Sequence, residues 1–234
     1  NLYRLSIYFY LHFQYNGFFF FGVLSLFVNL LERSLSKSQI DTIGLACQLL
    51  AAACIPAFLL STLWAKPGID YNILGGFAAV VQLGSLVIFS IPLRKFFRVN
   101  PDYFRPGVKL LLLFIYTALV LKFLLQLFSA DPGLAEVIND NRSLVIAYLH
   151  LVLVGIISLF LLAWLIQKGV IASVWAISLF LVAFVGSEFI LFVFPWNEGF
   201  LNADPIILQY IILVLSGLMA TAVFVLLQAQ RKNS

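Results

Sequence analysis

Seven stretches of about 20 mostly apolar residues follow one another along the chain, at roughly 5–31, 41–64, 71–93, 108–129, 143–167, 169–195 and 205–228. Each is as long as a helix must be to cross the hydrocarbon of a bilayer. Lipid offers no hydrogen-bond partner to a lone segment's backbone, so each stretch is predicted to be helical. The composition agrees: 63% of residues are hydrophobic and 10% charged, against about a quarter charged in soluble domains. The predicted fold class is therefore all-α, a polytopic transmembrane helix bundle of about seven spans whose first partner is the lipid bilayer. Nothing resembles a soluble domain, a long linker or a low-complexity tail, so 1–234 reads as a single transmembrane helical domain.

The connections carry ordinary stop signals: Lys66-Pro67-Gly68 after the second stretch, Asn100-Pro101-Asp102 in the third loop and Asp131-Pro132-Gly133 after the fourth. Basic residues set the expected orientation. Loops one, three and five and the C-terminus hold Arg33, Lys37, Arg94, Lys95, Arg98, Arg105, Lys109, Lys168, Arg231 and Lys232, and the opposite side holds Arg4, Lys66 and Arg142. Ten against three places the C-terminus in the cytoplasm and Asn1 outside. The outer loops carry Asp70, Asp131, Glu136, Asp140, Glu198 and Asp204 instead. Trp64 and Trp196 mark outer span ends and Trp164 an inner one, as an aromatic belt requires. The chain starts at Asn1 without an initiator methionine, and no cleavable signal pattern is visible. The expectation is a C-terminal portion of a longer chain, with upstream helices or other membrane subunits as further partners.

Both histidines sit in one repeated pattern, Tyr-Leu-His, four residues, then Gly: Tyr10-Leu11-His12 to Gly17, and Tyr148-Leu149-His150 to Gly155. A histidine inside a span is costly unless it has a partner, and so marks a functional site. Lys122 in the fourth stretch and Glu188 in the sixth are the other ionisable groups at depth. At about 1.5 Å per residue, His12, His150 and Lys122 each lie roughly 10 Å below the outer end, and Glu188 is shallower. Tyr8, His12 and Asn16 follow one another at i, i+4 and i+8, with Tyr15 alongside, giving a polar stripe that must face the bundle or a cofactor. Glycine five residues after each histidine removes bulk where a planar group would lie, as a haem site needs. The plain alternative is that each imidazole hydrogen-bonds a neighbouring helix. Lys122 and Glu188 are expected to form an ion pair or to reach the outer interface, with propionate neutralisation by Lys122 or a proton path through Glu188 as the sharper readings.

Cys47 and Cys54 lie two turns apart on one helix face, too far apart to bond to each other. They read as buried structural thiols, and no third thiol supports a soft-metal site. Pro56 is expected to kink the second span, and Gly75, Gly76 and Gly84 to let the third pack closely.

Leu11-His12-Phe13-Gln14-Tyr15-Asn16-Gly17-Phe18 resembles a motif of large, mostly uncharacterised bacterial membrane proteins, notably from Bacteroidetes. Those proteins are similar to the haem–copper oxidase catalytic subunit and to the NnrS group. The segment from Leu149 to Gly155 resembles the oxidase segment in which a histidine-bearing helix packs on haem. The resemblance covers about sixteen residues. It implies haem or copper on His12 and His150, a role in respiratory electron transfer or nitric oxide response, and residence in the bacterial inner membrane. Tyr8, Tyr15 and Asn16 would then orient the ligands. The oxidase's further histidines, its His-Pro-Glu segment and its adjacent His-His pair are missing, so this portion alone is not expected to reduce oxygen.

Two other functions fit the residues. One is a transporter or channel that uses the Lys122 and Glu188 charges. Against it, the sequence shows no pair of spans broken by Gly or Pro at matching places, and the histidine repeat relates spans one and five, which run the same way. The other is a structural subunit of a membrane complex. Soluble-enzyme motifs are lacking, and nucleic acid is not an expected partner: Arg94, Lys95, Arg98, Arg105 and Lys109 serve topology and anionic lipid.

Overall fold

Each apolar stretch folds as a helix, and among the described residues no strand is present. The computed structural model describes residues 2–170 and 173–231. Among these, seven helices are long and apolar enough to cross a membrane: Leu2–Ser34, Lys37–Ala65, Ile69–Val99, Gly107–Phe128, Arg142–Gln167, Trp175–Phe200 and Pro205–Gln228. They are called spans 1 to 7 below. Of the residues used above to orient the chain, Asn1 and Lys232 lie outside the described residues.

Local chemistry sets the span ends. Ser36 and Gln39 form a reciprocal capping box at the start of span 2. Lys66 (φ 49°) and Gly68 (φ 123°) turn the chain out of it through left-handed backbone, which glycine adopts without a Cβ penalty. Span 6 begins later than its hydropathy suggested, because Ser173 caps it by accepting from the Ala176 amide. Asp131-Pro132-Gly133 does more than end span 4. The Asp131 carboxylate takes the Leu134 amide at 2.9 Å, and this opens a short helix, Pro132–Asp140, that hydropathy alone did not foresee.

The chain divides into two compact units, Asn1–Phe104 with Tyr116–Asp140, and Arg105–Ile115 with Asn141–Ser234. Spans 1 to 3 and the second half of span 4 make the first unit, in which Phe20, Leu50, Leu86 and Phe123 share a buried core. Spans 5 to 7 and the first half of span 4 make the second, where Ala176 and Leu226 pack with Leu162 and Leu165.

The two units repeat one plan. Span starts pair as Leu2 with Arg142, Lys37 with Trp175 and Ile69 with Pro205, at nearly the separation of the two histidines. In both units the helix widens directly after the histidine into a π-helix, Phe13–Phe19 in span 1 and Leu151–Ser158 in span 5. The motif glycine stands five residues after its histidine, which is the reach of one π-turn. Ser158 follows the same spacing, its hydroxyl donating to the Leu153 carbonyl at 2.8 Å. Spans 2 and 6 also break alike. Span 2 passes from α to 3-10 geometry at Phe58–Ala65, just after Pro56. Span 6 does so at Phe194–Trp196, around Pro195. The sequence was expected to lack such matched breaks; the structure has them, because each proline removes an amide from the α ladder.

Candidate functional site

The break in span 2 frees a carbonyl. In an unbroken α-helix the Cys54 oxygen would accept from the Phe58 amide. That amide turns to Ile55 and Pro56 instead. His12 takes the vacancy, with Nε2 lying 3.0 Å from the Cys54 oxygen. A carbonyl only accepts, so Nε2 carries the proton and Nδ1 is the acceptor. Nδ1 meets the Asn16 amide at 3.2 Å and the Ser61 hydroxyl at 3.2 Å. Tyr15 shares Ser61, and the Cys54 thiol lies 3.9 Å from Nε2. His12 is 1% exposed. The imidazole is thus a fully bonded strut that ties span 1 to the broken part of span 2. Tyr8 stacks on Trp64, over whose ring the Arg4 guanidinium also lies, 4.3 Å from the ring centre. Tyr8 also acts electrostatically on Tyr15.

Lys122 lies in the same unit and is 2% exposed. It neither reaches an interface nor meets a carboxylate. Its ammonium donates to Gln126 Oε1 at 3.2 Å and rests on the rings of Phe123 at 4.2 Å and Phe20 at 5.8 Å. It acts electrostatically on His12 and on Cys54. The expected ion pair with Glu188 is replaced by these contacts, since each residue has its partner within its own unit. Gln82 on span 3 completes the polar level. Asn72 bonds Ala130 and Ser90 bonds Tyr116, so spans 3 and 4 run antiparallel and Gln82 falls level with Lys122 and Gln126. The buried oxygens Gln82 Oε1 and Asn16 Oδ1 have no hydrogen-bond partner. Among the described residues, unit 1 therefore holds a buried cation without a counter-ion and two unused acceptors, drawn from spans 1, 3 and 4.

In the second unit, His150 Nδ1 lies 3.3 Å from Glu188 Oε1, with side chains 33% and 19% exposed. The approach is close but poorly aligned for a hydrogen bond, and neither buried atom has a better partner. Sequence reasoning placed both residues but did not join them. The signal was available: they stand at comparable depth on spans 5 and 6.

The room expected for a flat group beside each glycine differs between the motifs. A Cβ at Gly155 would lie 2.7 Å from Phe184 Cζ, so a ring from span 6 fills that space. Gly17 faces nothing nearer than its own helix's Phe13 at 3.9 Å. The thiols are free, Cys54 buried and Cys47 partly so. Gly75 does serve close packing, with Leu60 of the 3-10 segment where its Cβ would be.

The donor set can be weighed against haem or copper. A ligand nitrogen needs a lone pair free of other bonds, and His12 offers none while Cys54, Asn16 and Ser61 hold both nitrogens. A centre shared by two histidines does not fit these residues. His150 differs, because a carboxylate behind Nδ1 is how many metal-bound imidazoles are held. Among the described residues no group of three or more His, Cys, Asp or Glu comes together. Compared with known protein families, curated proteins and solved structures, the chain matches none.

Proposed function

We propose that this chain is a membrane transporter of two three-span repeats joined by span 4, and that it carries a small anion past Lys122. The matched breaks in spans 2 and 6 carry the proposal. Interrupted hydrophobic helices at corresponding places in two halves are the strongest local pointer to a transporter's binding site. Corresponding spans are four apart in the chain and cross in the same sense, which makes the repeat a parallel one. The solute's charge follows from Lys122: a buried ammonium without a counter-ion calls for an anion, and Gln126, Asn16 and Gln82 offer amides beside it. Ten basic residues against three argue for a C-terminus in the cytoplasm, and the motif resemblance argues for a bacterial inner membrane. The test is uptake of radiolabelled chloride, phosphate and acetate into proteoliposomes. At least one should enter faster than into empty vesicles, and Lys122→Met should remove the difference. No uptake of any of the three, or uptake indifferent to Lys122→Met, would overturn the proposal.

His150, with Glu188 behind it, favours a second reading: a haem- or copper-binding protein in which His150 Nε2 is the ligand and the metal supplies electron transfer. A Soret band or bound copper in purified protein, lost in His150→Ala and kept in His12→Ala, supports it. A colourless, metal-free, folded protein removes it.

A further inference from the structure

We propose, resting on the transport reading, that the anion drawn to Lys122 carries hydroxyl donors of its own, as dihydrogen phosphate does and chloride does not. Charge sets the first requirement. The carboxylates of the first unit, Glu32, Asp41, Asp70, Asp102, Asp131, Glu136 and Asp140, stand near span ends or between spans. Asp131 is held by the Leu134 amide and Glu136 by Lys66. The titratable side chains that interact with Lys122 are Cys54 and His12, neither of them a carboxylate. The buried ammonium therefore calls for one negative charge, and a dianion would only invert the imbalance.

Two amide oxygens set the second requirement. His12 Nε2 gives its proton to the Cys54 carbonyl, so Nδ1 accepts, and the end of Asn16 that meets it is the NH2 group. That leaves Asn16 Oδ1 as the free end. Gln82 Oε1 likewise has no hydrogen-bond partner among the described residues, and both side chains are more than nine-tenths buried. His12, Asn16 and Phe20 follow one another at four-residue spacing along span 1. Lys122 acts on the first and lies over the ring of the last, so Asn16 stands between these two contacts. Gln82 comes level with the ammonium from span 3. An amide oxygen only accepts, so each needs an N–H or O–H from the ligand. A bare anion would neutralise the ammonium and leave both oxygens stranded. Dihydrogen phosphate brings one charge and two hydroxyls, matching one ammonium and two acceptors.

Binding of radiolabelled phosphate to the purified full-length chain in nanodiscs reads the site, in mildly acidic buffer where phosphate is mostly the monoanion. Competition by matched pairs reads the hydroxyls. Propionate carries a methyl where glycolate has its hydroxyl, and perchlorate is a tetrahedral monoanion without the hydrogens of dihydrogen phosphate. Glycolate should displace the label about fivefold better than propionate, and unlabelled phosphate more than about tenfold better than perchlorate. Gln82→Met removes one acceptor. It should weaken phosphate about tenfold and change perchlorate by less than about twofold. Dehydration of each anion is common to wild type and variant, so the change in ratio isolates the contact. Propionate and perchlorate competing as well as their partners, or phosphate affinity unchanged in Gln82→Met, would overturn the hydroxyl requirement and leave the anion site standing. Chloride uptake by a chain that binds no phosphate would do the same. Phosphate binding that survives Lys122→Met would instead overturn the anion reading itself, and neither binding nor uptake of any anion would overturn both.

Discussion

The ring N–H of His12 donates to the carbonyl oxygen of Cys54, 3.0 Å away on the neighbouring span. The Cys54 oxygen is open because the Phe58 amide turns to Ile55 and Pro56 where span 2 passes into 3-10 geometry, so a defect in one helix is mended by a side chain from another. Replacing His12 with Ala strands that carbonyl together with Asn16 and Ser61. A loss of about 1–3 kcal/mol is expected, the cost of leaving buried polar groups unbonded. Cys54→Ala should cost far less, because the acceptor is backbone. Thermal unfolding of the two variants in detergent compares them directly; equal losses would mean the thiol, not the carbonyl, holds the ring.

Gly155 admits Phe184 by lacking a side chain. Gly155→Ala should destabilise by about 1–3 kcal/mol through overpacking, and Phe184→Leu in the same chain should recover most of the loss. Gly17→Ala has no such neighbour and should be near neutral. A double-mutant cycle on stability checks the coupling.

The seven spans were legible because crossing hydrocarbon demands a length and a composition, and both are written in consecutive residues. The pairings at depth were not. Whether Lys122 meets Glu188 or Gln126 depends on helix rotation, which an almost uniformly apolar helix leaves unmarked. The π-helices escaped for a related reason: a turn that bonds five residues ahead rather than four has no compositional signature. Pro56 was read as a kink, whereas its counterpart Pro195 fell at a presumed span end and the matched break was missed.

Lys66 and Glu136 form an exposed ion pair at 2.9 Å, tying the end of span 2 to the short helix Pro132–Asp140. The Glu136 side chain raises the Lys66 amine above its ordinary 10.5, and Lys66 holds the Glu136 carboxyl below 4.5. The carboxyl's contribution is present above pH 4.5 and fades as pH falls below it. The amine's is present below pH 10.5 and fades as pH rises beyond it. The link should thus hold unchanged through neutral pH. Hydrogen exchange of residues 132–140 should speed up below about pH 4 relative to a Glu136→Gln control. High salt should produce a similar loosening at neutral pH, because exposed pairs are screened.

Lys122 separates stability from function. An ammonium buried against Phe123 and Phe20, with Gln126 as its acceptor and no counter-ion, costs desolvation that these contacts return only in part. An apolar residue of similar length relieves that cost, and replacing buried charges so is commonly neutral or stabilising by about 1–4 kcal/mol. Lys122→Met should therefore unfold at the same or a higher temperature than wild type while losing anion uptake. A residue kept only for packing would give the opposite pattern, with lower stability and transport intact. Measuring both properties on one preparation decides between them, because no single structural role predicts a firmer fold together with a dead carrier.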